Sequence, residues 1–292
     1  MVAAIEPRAV IALVGAVMGL FGPGLYAMVV NKYSEFSALW RVLRLLVLYS
    51  AVGLSLIGLG VGWIDLYTLI TAVLVLLLVL SLIHVVLEKR SQVMVIGLGD
   101  EVIYARLLPG QGAAAFSFTG TGRIYLSEGL VYALEPGEIA AIVAHERGHT
   151  VSLKPFSPLI TNSVLALLSV AIVMGSLSLL ATGHLVNICI GLFSVLGAWG
   201  LWVTYNWAWE SLADLYSVAR TGIAAYTALQ RITGSGPEPL TPRKAYKEFL
   251  RSLRPRRIKG GVFLVNPHPS PETRLYIIAR VLSNSYSSYL SS

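Results

Sequence analysis

Residues 144–150 read Ala144-His145-Glu146-Arg147-Gly148-His149-Thr150, AHERGHT in one-letter code. Two histidines stand four apart, and an acid directly follows the first. On an α-helix, residues i and i+4 project from one face, so both imidazoles can address one point. The chain around this polar stretch is very apolar. Of its 292 residues 55% are hydrophobic and only 13% charged, where a soluble domain is about a quarter charged. A mean hydropathy of +0.71 points to a membrane before any single residue is weighed. The lone cysteine, Cys189, excludes a disulfide framework.

Five stretches are long and apolar enough to cross a bilayer, which takes about 20 residues of helix: residues 9–30, 43–63, 66–87, 157–182 and 185–206. Gly22-Pro23-Gly24 interrupts the first, so a re-entrant segment is its other reading. A cleaved signal peptide fits worse, because the run is long and no small-residue cleavage site follows. All of the 22 Lys and Arg except Arg8 fall on one side of these spans. The positive-inside rule then puts residues 88–156 and 207–292 in the cytoplasm and the N-terminus outside. The net charge of +7 is thus mostly a topology signal, and no nucleic acid is expected.

Four units follow: an N-terminal membrane region (1–87), a cytoplasmic sheet with the motif helix (88–156), a membrane hairpin (157–206) and a C-terminal part completing the water-facing domain (207–292). Residues 92–96, 102–107, 113–118 and 123–126 are short and β-prone, separated by Gly, Asp and Pro. Pro136, with Glu135 and Glu138 beside it, opens a helix that runs through the motif to Lys154. Residues 211–231 read as a further helix and 234–242 as a loop.

His145 and His149 can offer nitrogen ligands to zinc. A catalytic zinc wants three protein ligands and one open position. Glu146, adjacent, can act as general base on a water there, the His-Glu-x-x-His arrangement of metalloproteases. The third ligand is expected at Glu210. The two spans between it and His149 form a hairpin that returns the chain to the membrane face it left. Asp214, one turn later, is placed to accept a hydrogen bond from a ligand histidine.

His145-Glu146-x-x-His149, a membrane hairpin, then Glu210-x-x-Ala213-Asp214 resembles the M48 membrane metallopeptidases, most closely the HtpX-type proteases. Ala115-Phe116-Ser117-Phe118-Thr119-Gly120 followed by Ile124-Tyr125-Leu126-Ser127-Glu128-Gly129-Leu130 is similar to the strand pair before that family's zinc helix. His268-Pro269 with Arg274 resembles its C-terminal motif. The resemblance covers about residues 113–280. It implies an α-helical integral membrane protein with a cytoplasmic α+β, gluzincin-like zinc metalloprotease domain. One Zn2+ per chain would be held by His145, His149 and Glu210, with Glu146 as base. It further implies a multi-pass protein of the cell membrane that cleaves membrane or misfolded polypeptides in quality control and stress response. The sequence departs from the pattern at Ala114, where an Asn is usual, at Arg147, and in having five expected spans rather than four.

Other residues carry weaker expectations. His268 has three roles open by resemblance: touching the metal, stabilising an oxyanion, or gating access. Arg274 is expected to pair with Asp214 or Glu210. Ala115, Phe116, Ser117 and Phe118 form a strand that can take an extended substrate by β-addition. His84 and His184 read as incidental. Between residues 243 and 259 the chain has eight basic residues and one acid, with apolar residues at helical spacing. This segment fits either an anionic lipid surface or packing on the protease domain. A CAAX-type prenyl protease, a receptor or scaffold with a vestigial zinc site, and a transporter are the competing functions. The near absence of charge inside the spans disfavours a transporter.

Overall fold

The computed structural model describes residues 7–61, 66–112, 114–118, 122–151, 172–177, 179–180, 184–253, 256–257, 263–264 and 268–290. Three long helices open the chain: α1 (Pro7–Lys32), α2 (Phe36–Val61) and α3 (Leu66–Arg90). The sheet strands follow: β1 (Gln92–Leu98), β2 (Glu101–Leu108), β3 (Ala115–Phe118) and β4 (Arg123–Ser127). Then come α4 (Glu128–Ala133), α5 (Pro136–Val151), α6 (Leu185–Thr221), α7 (Ile223–Thr233), α8 (Pro242–Ser252) and α9 (Pro271–Leu290). A short ladder, β5 (Arg256–Arg257) with β6 (Phe263–Leu264), lies between α8 and α9.

Helices α1, α2 and α6 are long and apolar enough to cross a membrane. Helix α3 occupies the third apolar stretch of the sequence. Most of the expected span at residues 157–182 lies outside the described residues. Helix α1 runs unbroken through Gly22-Pro23-Gly24, so the re-entrant alternative is not what the chain forms. The physical reason is close packing. A side chain at Gly19 would run into the backbone of Gly197, and one at Gly15 would meet Gly53 O at 2.7 Å. Small residues let membrane helices approach this closely without a hydrophobic driving force between them. The Gly19 carbonyl, which Pro23 deprives of its helical donor, faces Gly200 of α6.

Helix α6 is longer than its apolar part. It continues through Asn206, where polar residues begin, and ends only at Gly222, whose φ of 57° suits glycine. Its polar residues find partners inside the fold. Ser211 bonds Tyr26 Oη of α1 at 2.7 Å, and Thr204 bonds Gly200 O at 2.7 Å. The apolar half of α6 and the half that reaches the polar cluster are therefore one rod.

The sheet order is β1-β2-β4-β3, with β2 parallel to β4 and the other pairs antiparallel. Strand β3 is an edge. Two cores result. One joins α1, α2 and α6 to α7, α8 and α9; the other lies between the sheet, α4 and α5. Helix α5 is the seam, giving Ala141 to the first and Val143 and Ala144 to the second. The last helix grips the first: Arg280 of α9 donates to the carbonyls of Val30 (2.6 Å) and Asn31 (2.8 Å) at the end of α1. Those carbonyls lack intrahelical donors, and a cation suits a helix C-terminus.

The glycine packing makes a prediction. Gly19→Leu should cost the folded protein more than the roughly 1–3 kcal/mol of ordinary overpacking, because the obstacle is backbone. Gly137→Ala, with nothing near its Cβ position, should leave stability within about 1 kcal/mol of the wild type. Thermal unfolding in detergent reads both; equal midpoints would refute the packing argument.

Candidate metal site

Helix α5 carries the AHERGHT stretch. Pro136 is its first residue, and the Glu138 carboxylate accepts from the Glu135 backbone N–H at 3.0 Å. The helix lies on α6 at very short range. A Cβ on Gly148 would sit 2.8 Å from Ala213 Cα and 3.1 Å from Tyr216 Cβ. Ser217 of α6 donates to Ala141 O at 2.7 Å and fixes the register. The glycine within the motif thus permits the two helices to bring their polar residues to one point. Arg147, next to it, leads away from that point and pairs with Glu101 of β2 at 3.0 Å.

His145, His149 and Glu210 converge, with one ligand atom from each within 4.8 Å of the others. His145 Nε2 and His149 Nε2 are 3.1 Å apart. Glu210 Oε2 is 3.5 Å from the first and Oε1 is 3.4 Å from the second. Ligands at 2.0–2.1 Å on a tetrahedral ion are separated by about 3.3 Å. Two imidazole nitrogens and a carboxylate at this spacing fit zinc in spacing and chemistry.

A second ring of contacts aims these groups. His145 Nδ1 is 2.9 Å from Asp214 Oδ1, which fixes the proton on Nδ1 and makes Nε2 the nitrogen that a metal would take in place of a proton. Arg274, from α9, donates Nε and Nη2 to Asp214 at 2.8 and 2.6 Å and stands 3.3 Å from Glu210 through Nη1. His268 Nδ1 is 3.1 Å from Glu210 Oε1, with the His268 side chain half exposed. His149 leans edge-on against Trp209, ring centroids 5.1 Å apart; its Nδ1 is buried without a hydrogen-bond partner among the described residues.

The electrostatics follow from burial and neighbours. Burial pushes the His145 imidazolium down, but the hydrogen bonds to Asp214 and Glu210 outweigh it and carry His145 up to about 10. Burial lowers His149, which favours the neutral imidazole that binds metal. Burial would raise Glu210; the charges of His149 and Arg274 and the hydrogen bonds of His145 and His268 hold it well below the usual carboxylate range. Asp214 is likewise kept ionised, against its burial, chiefly by Arg274.

Beside these groups lies a cleft of about 220 Å³. His145, Glu146, Asp214 and Arg274 form its polar side. Ala115, Leu130, Leu229 and Ile278 are among its apolar lining. Ala115 thus reaches the cleft, whereas Phe116 stacks on Tyr125 at 5.1 Å. Ser117 is partly buried on the edge strand, and the Phe118 side chain lies outside the described part of the structure. His84 lies away from the site and bonds Tyr125 Oη at 3.1 Å; His184 precedes the first turn of α6. In the sequence Trp209 reads as part of an interfacial aromatic belt with Tyr205 and Trp207 rather than as a neighbour of His149, and Ser217 carries no reading. Their signal was position: Trp209 precedes Glu210, and Ser217 falls one turn after Ala213.

The approach at Gly148 is testable through metal content. Gly148→Val should force α5 off Ala213 and reduce bound zinc at least tenfold in elemental analysis. Arg147→Ala, on the far side of the helix, should retain it. Asp214→Asn should weaken zinc about 10- to 100-fold in competition with a chelating dye.

The sequence profile of peptidase family M48 matches residues 107–281. Neither the curated proteins nor the solved structures yield a match. The matched residues begin at the end of β2 and run through the edge strand, both histidines, Glu210, Asp214 and Arg274 into α9. That is more than half of the chain, and the protein belongs to peptidase family M48.

Proposed function

We propose that this protein is a membrane-embedded zinc endopeptidase that cleaves membrane or misfolded polypeptides at the cytoplasmic face, in protein quality control. One observation carries the reading: His145, His149 and Glu210, from two helices, converge, with the acid that follows the first histidine on the adjoining cleft. Zinc, when held by these three residues, would acidify a water and polarise the scissile carbonyl.

The remaining chemistry belongs to the chain. Glu146 is buried at the cleft and takes the proton of the attacking water on a carboxylate oxygen. It then gives that proton to the amine nitrogen of the departing fragment. Asp214 keeps the His145 proton on Nδ1. Arg274 balances the two buried carboxylates, so that Glu210 stays an anion. His268, at 3.1 Å from Glu210, acts as a positioning residue for that ligand. Strand β3 is the edge of the sheet among the described residues and its Ala115 lines the cleft; an extended substrate would add to it as a further strand. Such binding reads backbone rather than side chains, which suits unfolded chains of varied sequence.

The membrane setting rests on the apolar belt. The exposed faces of α1, α2 and α6 carry Val14, Val17, Leu48, Val52, Leu192 and Phe193. The complete ligand set argues against a vestigial site.

Glu146→Gln separates metal binding from chemistry. The variant should keep its zinc and lose casein cleavage and self-cleavage by at least 10²-fold. Equal cleavage by the two proteins would remove Glu146 from the mechanism. A wild type without zinc would remove the whole proposal.

A further inference from the structure

Helix α8 is basic on one side and tied to the membrane helices on the other. Thr241 caps its N-terminus and Pro242 is its first residue. Ala245 and Phe249 are buried against the helical core. Tyr246 donates to Leu20 O of α1 at 3.0 Å, and Trp199 of α6 donates to Ser252 Oγ at 3.1 Å. Arg243, Lys247 and Arg251, at i, i+4 and i+8, form one stripe on the opposite side. All three are exposed and make no ion pair among the described residues. Leu250, 59% exposed, lies within the stripe.

The anchors of α8 give its height. Gly19 packs on Gly197 and Gly22 on Thr204, so α1 and α6 rise together and Trp199 stands level with Leu20. Tyr49 of α2 donates to Met18 O. Arg44, five residues nearer the start of α2, is therefore about 7.5 Å higher, level with Gly24, on which Tyr246 packs. On one side of this level the exposed residues are the aliphatic belt. On the other, α1 and α6 are mostly enclosed by the soluble part, Met28 and the end of α6 excepted. An interfacial Trp, a Tyr and Arg44 of α2 lie near the level, with Arg41 about one turn above it, as expected of a bilayer surface.

We propose that α8 is an anionic-lipid site: the Arg243–Lys247–Arg251 stripe binds the phosphodiester headgroups of the leaflet on the protease side, with Leu250 dipping among the upper acyl chains. The inference rests on the membrane reading of the protein. Its basis is charge complementarity together with continuity with the lipid-facing belt, since α8 is bonded to α1 and α6 at the belt's upper rim. Each Lys or Arg near an anionic leaflet contributes about 1 kcal/mol, and a leucine at this depth adds apolar burial. Docking would fix the height of the protease domain. Glu210 lies eleven residues beyond Trp199 on the same helix, about 16 Å above the rim.

The test uses the full-length protein with Cys189→Ser, in nanodiscs of phosphatidylcholine containing brominated phosphatidylglycerol or, separately, brominated phosphatidylcholine. A fluorophore on Leu250→Cys reports α8. One on Leu192→Cys, in the belt, reports the membrane itself. The Leu250 probe should be quenched by brominated lipid, roughly threefold more by the anionic one at equal mole fraction. Arg243→Gln/Lys247→Gln/Arg251→Gln should abolish that excess. Quenching of the Leu192 probe alone, with the Leu250 probe open to aqueous iodide, overturns the lipid site while leaving the membrane reading intact. Shielding from iodide without quenching by lipid marks a protein occupant and overturns it equally. So does an excess that survives the triple substitution. An unquenched Leu192 probe overturns the membrane reading, and this inference with it.

Discussion

Everything at the site depends on how closely α5 can lie on α6. Two histidines and a glutamate from different helices must come within a few ångströms, and backbone diameter is the obstacle. Gly148 and Ala213 remove it: where their helices meet, the missing side chain on one and the single methyl on the other let backbone touch backbone. The same device recurs lower in the molecule, where Gly15 and Gly19 of α1 press on α2 and α6. One construction rule, small residues at crossing points, thus sets both the apolar helix bundle and the geometry of the site. The helix that crosses the bundle also delivers Glu210, so the packing below fixes the ligand above.

Close packing alone would leave an electrostatic problem. Glu146, Glu210 and Asp214 are buried within a small volume, and isolated buried carboxylates prefer to be neutral. Arg274 resolves this for two of them, with both arms of its guanidinium engaged. His145 and His268 supply further hydrogen bonds. Removing one partner of such a buried set costs more than the pair contributes, because a charge is left unmatched. The metal-ligating geometry is therefore maintained by a residue from the far end of the chain that offers no ligand atom itself.

Much of this was legible in the sequence. The spacing of His145 and His149 needs only helix periodicity. Glu210 was reached through topology, since only an even number of spans could bring it back beside His149. Gly22-Pro23-Gly24, by contrast, reads as an interruption because glycine and proline weaken an isolated helix. In the bundle Gly22 and Gly24 are what permits contact, with Thr204 and Tyr246 lying where their side chains would be. The polarity change at Asn206 similarly suggested a boundary, yet α6 continues to Thr221 because Ser211, Asp214 and Ser217 find partners in other elements. Helix α4 escaped notice because six residues carry no periodicity; it is held by the Ser127 cap. Helix α9 escaped because its role is tertiary, expressed through Arg274 and Arg280 rather than through a pattern of its own.

The grip of α9 on α1 sets an order of events. Arg280 completes the end of the first helix, and Arg274, two turns earlier on the same element, closes the charge balance of the site. Contacts spanning nearly the whole chain form late and slowly, since a long loop must close before they are rewarded. A chain still leaving the ribosome therefore has its histidines and its long apolar helices but not the guanidinium that holds Glu210 and Asp214 as anions. The charge balance that the buried carboxylates need is thus completed only when α9 docks, so the site matures after the helices that frame it.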